Sequence, residues 1–142
     1  MAIGGRVFDM NLRDDPFSFK VDLLIAHPNS KITKCKALSD VLLDTGATNT
    51  FLPLSVIREL ELPATGGPPL KITGYDKRKH EEFDLYHARI RLEGVDEAIL
   101  EVGGWDNAPV IGRDLLNRWH ILLNGPHTTF EIVSDKDYKL GE

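Results

Sequence analysis

The sequence predicts an all-β protein that folds as a small closed barrel or a sandwich. Short stretches of the chain alternate apolar and polar residues, which is the pattern of half-buried strands. Turn-forming residues separate these stretches at regular intervals, as expected for a chain made of many short strands. Two segments have helical character, but they do not alternate regularly with strands, so a βαβ arrangement is disfavoured.

In the first half of the chain, the alternation at residues 17–25 predicts a half-buried strand. Residues 27–31 predict a turn, after which residues 32–38 return as the partner strand. The short apolar run at residues 41–43 is typical of a strand that is buried on both faces. A brief helix is expected at residues 54–60.

The middle of the chain predicts a long hairpin that rises at residues 70–75, turns at residues 76–80 and descends at residues 81–92. On the second strand of this hairpin, the apolar residues occupy odd-numbered positions up to Leu85 and even-numbered positions from Tyr86 onward. A change of phase within a strand marks a bulge or a change of sheet partner.

The last third of the chain predicts a strand at residues 98–102, a loop at residues 103–107 and a helix at residues 114–119. Two closing strands follow, at residues 121–123 and 128–133. The Asn-Gly pair between them predicts a tight hairpin turn.

Length and composition predict a single domain over residues 1–142, with a core at about residues 17–133 and a loose polar tail at residues 134–142. The net charge of −5 argues against a dedicated nucleic-acid-binding protein. No apolar stretch is long enough to span a bilayer, and no secretory signal is visible. Cys35 is the single cysteine and cannot form an internal disulfide, so we expect a cytoplasmic protein.

The polar residues predict no metal site and no cofactor. The five histidines lack the paired spacing that metal sites require. The basic run at residues 77–80 invites a nucleic-acid interpretation, but two glutamates follow it at once on a predicted hairpin tip. A solvated turn is therefore the favoured interpretation of this run.

The sequence Asp44-Thr45-Gly46 is the segment of the chain that points to a chemical function. It follows the apolar run at residues 41–43, so a buried strand delivers one carboxylate into a tight polar turn. Taken alone, the tripeptide is ordinary turn chemistry. Much later in the chain, a second apolar run ends at a glycine, at Val110-Ile111-Gly112. The two segments together favour a catalytic role for the carboxylate.

These two segments resemble the retropepsin-like aspartic proteases, and the resemblance implies a closed barrel with a flap hairpin. It identifies Asp44 as the catalytic aspartate. Thr45 matches the threonine that grips its symmetry mate beneath the active site, and Gly46 matches the glycine whose backbone approaches substrate. Ala47 and Thr48 would extend the substrate-binding floor.

The same resemblance gives Ile111 and Gly112 the role of supporting the catalytic loop. The hairpin at residues 71–86 occupies the place of the family's flap. Tyr75 on this hairpin is a candidate for substrate contact, and packing within the hairpin is the alternative. Retroviral members often carry aspartate where this chain has Thr48, so the partner of the family's arginine, here Arg113, does not carry over. The longer segment after the second motif is similar to the bacterial single-domain members of this clan.

The resemblance implies an aspartic endopeptidase that works as a homodimer. Two carboxylates that share one proton can activate water and protonate the leaving group, but this chain has one Asp-Thr-Gly. The second carboxylate would come from another copy of Asp44, and a peptide or protein substrate would bind as an extended strand. Two alternatives stay open, a non-catalytic dimeric peptide-binding module and a retroelement-derived protease that processes a polyprotein.

Overall fold

The computed structural model of the protein describes residues 5–73 and 80–140. Within these ranges the chain forms eleven strands, three short α-helices and one 3-10 turn at Gly125–His127. The strands are β1 (Arg6–Asp9), β2 (Lys20–Ala26), β3 (Cys35–Leu43), β4 (Phe51–Pro53), β5 (Leu70–Thr73), β6 (His80–Phe83), β7 (Leu85–Leu92), β8 (Asp96–Trp105), β9 (Val110–Ile111), β10 (Trp119–Asn124) and β11 (Thr129–Ser134). The helices are α1 (Leu54–Glu59), α2 (Arg113–Leu116) and α3 (Asp135–Leu140).

Six strands close into a barrel in the order β2-β3-β9-β4-β8-β7, and pairing of β7 with β2 completes it. Alternate side chains of these strands point inward, so the interior is a continuous apolar core. Buried side chains from the barrel strands include Ile25, Val41, Leu52, Ile90, Val102 and Ile111. The predicted all-β barrel with short helices is confirmed.

Strand β9 lies between two strands that are distant from it in the sequence. It pairs in parallel with β3, where Leu43 lies opposite Ile111. On its other side it pairs with β4 through Phe51. The ends of β3 and β9 therefore lie side by side, at the point where the chain leaves β3 for the Asp-Thr-Gly turn.

Strand β3 is continuous, whereas the sequence predicted two segments at residues 32–38 and 41–43. Its register against β2 shifts beside Asp22, so that two residues of β3 bulge there. Asp40 has a positive φ of 55° in this bulge, and its N–H donates to the Asp22 carboxylate at 3.0 Å. The bulge shifts the alternation of apolar and polar residues by one position without ending the strand. The sequence pattern therefore indicated two segments instead of one strand.

The predicted hairpin divides at Asp84. Before this residue, β5 and β6 pair with each other as a separate two-stranded sheet. After it, β7 pairs with β2 and β8 in the barrel. The sequence left open a bulge or a change of partner between Leu85 and Tyr86, and the structure has a change of partner one or two residues earlier.

Strand β8 continues to Trp105, although the sequence predicted a loop from residue 103. Gly103 lies against an aromatic ring, because a Cβ atom built there would be 2.4 Å from Phe51 Cε1. Gly103 is therefore a strand residue that allows close packing, although glycine at this position favoured a loop in the sequence.

The strands near the two ends of the described chain form a separate three-stranded sheet in the order β1-β11-β10. Strand β1 was not predicted. Helix α2 ends at Leu116, earlier than expected, because Trp119 begins β10. The predicted tight turn after β10 is instead a 3-10 turn that ends at Thr128, which has a left-handed φ of 54°.

The segment after β11 is helical, whereas the sequence predicted a loose tail from residue 134. The Ser134 hydroxyl accepts a hydrogen bond from the Asp137 N–H at 3.2 Å, which caps the start of α3. The Tyr138 ring stacks on His120 of β10 with ring centroids 3.8 Å apart. Docking on the sheet therefore orders a polar segment whose composition alone did not predict a helix.

Candidate active site

Asp44 lies one residue beyond β3, where three hydrogen bonds fix the loop. Its N–H donates to the Ile111 carbonyl at 2.9 Å, which ties the loop to β9. The Gly46 N–H donates to Asp44 Oδ1 at 2.9 Å, and the Ala47 N–H donates to the Asp44 carbonyl at 3.1 Å. The carboxylate is therefore held in one orientation, with its second oxygen left for other partners.

The segment after β9 supports the far side of this loop. The Ala47 carbonyl accepts the Arg113 N–H at 2.9 Å, and the Thr48 carbonyl accepts the Asp114 N–H at 3.2 Å. Gly112 packs directly on the loop, because a Cβ atom there would lie 2.4 Å from the carbonyl carbon of Asn49. A side chain at this position would displace the backbone, which explains why the second motif ends in glycine.

A second hydrogen-bond network, which the sequence analysis did not predict, lies beneath the loop. The Thr50 hydroxyl donates to Asp114 Oδ1 at 2.7 Å and accepts the Gly112 N–H at 3.1 Å. The Asp114 carboxylate also accepts the backbone N–H groups of Thr50 and Leu115. The only sequence signals were a polar threonine entering a buried strand and an aspartate at a helix start.

The partner of Arg113, which the resemblance left open, is a hydroxyl. Arg113 Nη2 donates to Thr48 Oγ1 at 3.1 Å, and both side chains are exposed. The firmer connection between the two segments is the neighbouring one, between Thr50 and Asp114.

Asp44 opens into a cleft of about 530 Å³. Its lining residues come from the Asp44 loop, from the barrel rim and from β5, and they are Asp44, Gly46, Ala47, Thr48, Asn49, Phe51, Leu70, Lys71, Ile72, Trp105 and Val110. Asp44 is the acidic residue of this described lining and Lys71 is its basic one. Most of the other side chains are apolar, as in clefts that bind the side chains of a ligand.

An aromatic cluster forms one wall of the cleft. The rings of Phe51 and Trp105 stack with centroids 4.3 Å apart, and Phe83 of β6 packs edge-on against both. The Trp105 indole N–H donates to the Ala108 carbonyl at 3.0 Å, which fixes the ring. The cluster joins the base of the β5-β6 hairpin to the barrel rim. The cluster was not predictable from the sequence, because its members lie far apart in the chain.

The structure brings together four of the predicted site residues, namely Asp44, Gly46, Ala47 and Thr48. Ile111 and Gly112 lie behind the loop, where the Ile111 carbonyl accepts the Asp44 N–H and Gly112 packs against Asn49, while the Thr45 side chain is exposed and lies outside the cleft lining. Tyr75, predicted to contact substrate, lies outside the described residues. The β5-β6 hairpin borders the cleft through residues 70–72.

Over residues 5–73 and 80–140, no group of three or more histidine, cysteine, aspartate or glutamate side chains is arranged to hold a metal ion. None of the helices in the same ranges has the length and apolar character needed to cross a membrane.

Comparison of the whole fold with solved structures finds the protease of EIAV, complexed with the inhibitor HBY-793. The match has a TM-score of 0.54 at 22% sequence identity, and it covers 78% of this chain and 92% of that chain. The fold is retropepsin-like. The chain matches no protein-family model and no curated protein. At this level of sequence identity, the match shows a similarity of fold.

Proposed function

We propose that the protein is an aspartic endopeptidase that acts as a homodimer. The observation that carries the proposal is the Asp44 carboxylate, which accepts the Gly46 N–H at the floor of an apolar cleft, while the Asp44 backbone N–H donates to the Ile111 carbonyl. One carboxylate cannot be both general base and general acid in the same step. The described lining offers no second acid, so the second carboxylate comes from another copy of Asp44.

In this mechanism, a water molecule lies between two Asp44 carboxylates that share one proton. The ionised carboxylate takes a proton from the water, which attacks the carbonyl carbon of the scissile peptide bond. The protonated carboxyl donates to the carbonyl oxygen, and a proton then passes to the leaving nitrogen as the bond breaks. The two carboxyl groups titrate as a unit.

The substrate is a peptide or protein segment that binds in extended form. The loop at residues 46–48 supplies one side of the cleft and β5 supplies the other, so a substrate strand can pair with backbone on both sides. The β5-β6 hairpin acts as the flap that covers the bound peptide and excludes water. Thr45 contacts the same residue of the second copy, which accounts for its exposed position in one chain.

The test compares Asp44→Asn with the wild type in cleavage of a peptide library. Asparagine keeps the oxygen that accepts the Gly46 N–H, so the variant is expected to fold and dimerise. Cleavage should fall by about 10³-fold or more, because a catalytic group has been removed. Asp106→Asn, at an exposed aspartate, is the matched control and should cleave like the wild type.

Activity retained in Asp44→Asn would overturn the proposal, and so would an active protein of monomeric mass. A wild type that binds peptides saturably without cleaving them over a wide pH range would support a peptide-binding module instead. Sedimentation decides the mass, since a dimer has twice the chain mass of 15.9 kDa.

A further inference from the structure

We propose that the outer face of the three-stranded sheet, which carries Val7, Leu122 and Glu131, binds a primary alkylammonium group, and that the Glu131 carboxylate pairs with it. The ligand class is an unbranched aliphatic amine, either a free diamine or the side chain of a lysine. The proposal is independent of the protease function, because none of its evidence comes from the Asp44 cleft.

Glu131 of β11 is a buried carboxylate without a partner. Its side chain is 8% exposed, and its Oε2 atom has no hydrogen-bond partner among the described residues. Its neighbours across the sheet are Val7 and Leu122, whose side chains have no donor to offer. Taking a carboxylate out of water is unfavourable unless a cation or several donors replace the lost hydration. A buried group of this kind therefore indicates that a partner binds there.

The Glu131 side chain lines a cavity of about 280 Å³ together with further acceptor groups. Asn124 and Thr129 line the same cavity and lie opposite one another in the pairing of β10 with β11. Thr129 is two residues before Glu131 on one strand, so the three side chains share a face of the sheet. Carboxylate, amide and hydroxyl oxygens all accept hydrogen bonds, and an ammonium group has three donors to give them.

Apolar side chains flank Glu131 on both neighbouring strands. Val7 of β1 is 56% exposed, Leu122 of β10 is 40% exposed, and both line the cavity. Apolar walls on either side of a buried acid form a slot that suits an aliphatic stem with a charged end. The flexible stem and compact ammonium of lysine, or a diamine of similar length, match this combination.

The charges around the cavity favour an organic cation. Its described lining contains the Glu131 carboxylate and no basic side chain. Within residues 5–73 and 80–140, no group of three or more potential ligand side chains is placed to hold a metal ion there. A water molecule can hydrogen-bond to a carboxylate, but it leaves the negative charge unpaired. The net charge of −5 also favours the approach of a cation.

The site lies on the side of the sheet that faces away from the Asp44 loop. Phe130, the residue before Glu131, points to the opposite face, where its ring packs edge-on against Phe19. The Phe19 carbonyl accepts the N–H of Leu43, which directly precedes Asp44. An amine bound at Glu131 therefore leaves the cleft free for its own ligand.

The first test measures binding of 1,4-diaminobutane to the full chain by isothermal titration calorimetry. The wild type should bind the diamine, whereas 1,4-butanediol, which has the same stem without charge, should bind about tenfold more weakly or worse. Glu131→Gln keeps an acceptor oxygen but loses the charge, so its affinity for the diamine should fall by about tenfold or more. Glu101→Gln, at an exposed glutamate on β8, is the matched control and should bind like the wild type.

A wild type that does not bind the diamine, or a Glu131→Gln variant that binds it as tightly as the wild type, would overturn the proposal. Circular dichroism checks that the variant is folded. Glu131→Met gives the same comparison if Glu131→Gln does not fold, because methionine removes the buried charge altogether.

The second test separates the two sources of the ammonium group and locates the site. Stronger binding of Nα-acetyl-lysine methylamide than of the diamine would support a lysine side chain as the ligand, and the reverse order would support a free diamine. Asp44→Asn should bind either compound like the wild type, because the cleft takes no part. Loss of binding in Asp44→Asn, with binding kept in Glu131→Gln, would place the amine in the cleft and contradict the proposal.

Discussion

The hydroxyl of Thr50 donates to Asp114 Oδ1 at 2.7 Å and joins two segments that are 64 residues apart. Thr50 immediately precedes β4 and is fully buried, while Asp114 lies in the first turn of α2. The same hydroxyl accepts the Gly112 N–H at 3.1 Å. One buried side chain thus connects both segments that flank the Asp44 loop.

Thr50→Val should lower the free energy of unfolding by about 2–3 kcal/mol. Valine has nearly the same shape but leaves the buried Gly112 N–H without its acceptor and removes a donor from a charged carboxylate. Urea denaturation measures the change. Thr65→Val is the control, because the Thr65 hydroxyl makes one long bond of 3.3 Å at an exposed site, and its effect should be within about 0.5 kcal/mol. Equal effects of the two variants would show that the Thr50 network contributes little.

Gly112→Ala should be more severe, with a loss of about 3 kcal/mol or more in stability. The added Cβ atom would meet the Asn49 carbonyl carbon and oxygen at 2.4 Å, and backbone atoms cannot move aside as a flexible side chain can. If the protein is the protease proposed above, peptide cleavage should also fall at temperatures where the variant is folded, because the displaced segment packs on the Asp44 loop.

Gly125→Ala is the control for this substitution, since a Cβ atom at Gly125 meets nothing within 4 Å. Thermal unfolding and cleavage assays compare the two variants, and only Gly112→Ala should lose stability and activity. A Gly112→Ala protein with the melting temperature and activity of the wild type would contradict the close contact with the loop.

The sequence predicted those parts of the molecule that depend on local patterns. Apolar alternation located β2, β7 and β11, and the Asp-Thr-Gly and Ile-Gly segments located the loop and its support. Periodicity reports which side chains of one strand are buried, so it also detected an irregularity near Leu85, for which a bulge and a change of partner were both possible.

Contacts between distant segments were not predictable from such patterns. Gly103 favoured a loop in the sequence because glycine is common in turns. The Phe51 ring, which occupies the space where a side chain of residue 103 would lie, comes 52 residues earlier in the chain. Helix α3 was missed because its stability comes from docking, including the stack of Tyr138 on His120. The aromatic wall and the Thr50 network are likewise products of tertiary packing.

Glu131→Met should raise the free energy of unfolding by about 1 kcal/mol. Glu131 is 8% exposed, and its Oε2 atom has no hydrogen-bond partner among the described residues. Its neighbours across the sheet are the apolar Val7 and Leu122, so the site offers little compensation for the lost hydration of the carboxylate. Methionine has a similar length and no charge to bury.

Glu101→Met, at an exposed position on β8, is the control and should change stability by less than about 0.5 kcal/mol. Chemical denaturation of both variants at neutral pH gives the comparison. A Glu131→Met protein that is less stable than the wild type would mean that the carboxylate has a favourable partner.

Asp96 should contribute to stability in a pH-dependent way. Burial of its carboxyl group raises the pKa, but hydrogen bonds from Arg118 and Trp119 outweigh burial and hold the pKa below its ordinary value of 3.8. A pKa that is lower in the folded state stabilises the protein at pH values above 3.8, and the contribution disappears as the pH falls through the folded value. Asp96→Asn should therefore cost about 1 kcal/mol at neutral pH, since Arg118 is partly exposed.

The difference between Asp96→Asn and the wild type should shrink as the pH is lowered below 3.8. Urea denaturation at a series of pH values from neutral to acidic measures it. A difference that is constant across this range would contradict the depressed pKa of Asp96.

Trp105 should determine which side chains the cleft accepts, if the protein is the protease proposed above. Its ring stacks on Phe51 and lines the same cleft as Asp44, so Trp105→Ala removes a wall of the pocket. The cleavage profile of a peptide library should then shift toward larger apolar side chains near the scissile bond, with selectivity ratios changing by about tenfold.

Trp105→Phe is the matched variant, because phenylalanine can keep the stack on Phe51 while it loses the hydrogen bond to the Ala108 carbonyl. Its profile should stay closer to that of the wild type. Catalysis itself should persist in both variants, since neither substitution touches the hydrogen bonds that hold Asp44. An unchanged profile in Trp105→Ala, with cleavage retained, would place the substrate side chains elsewhere in the cleft.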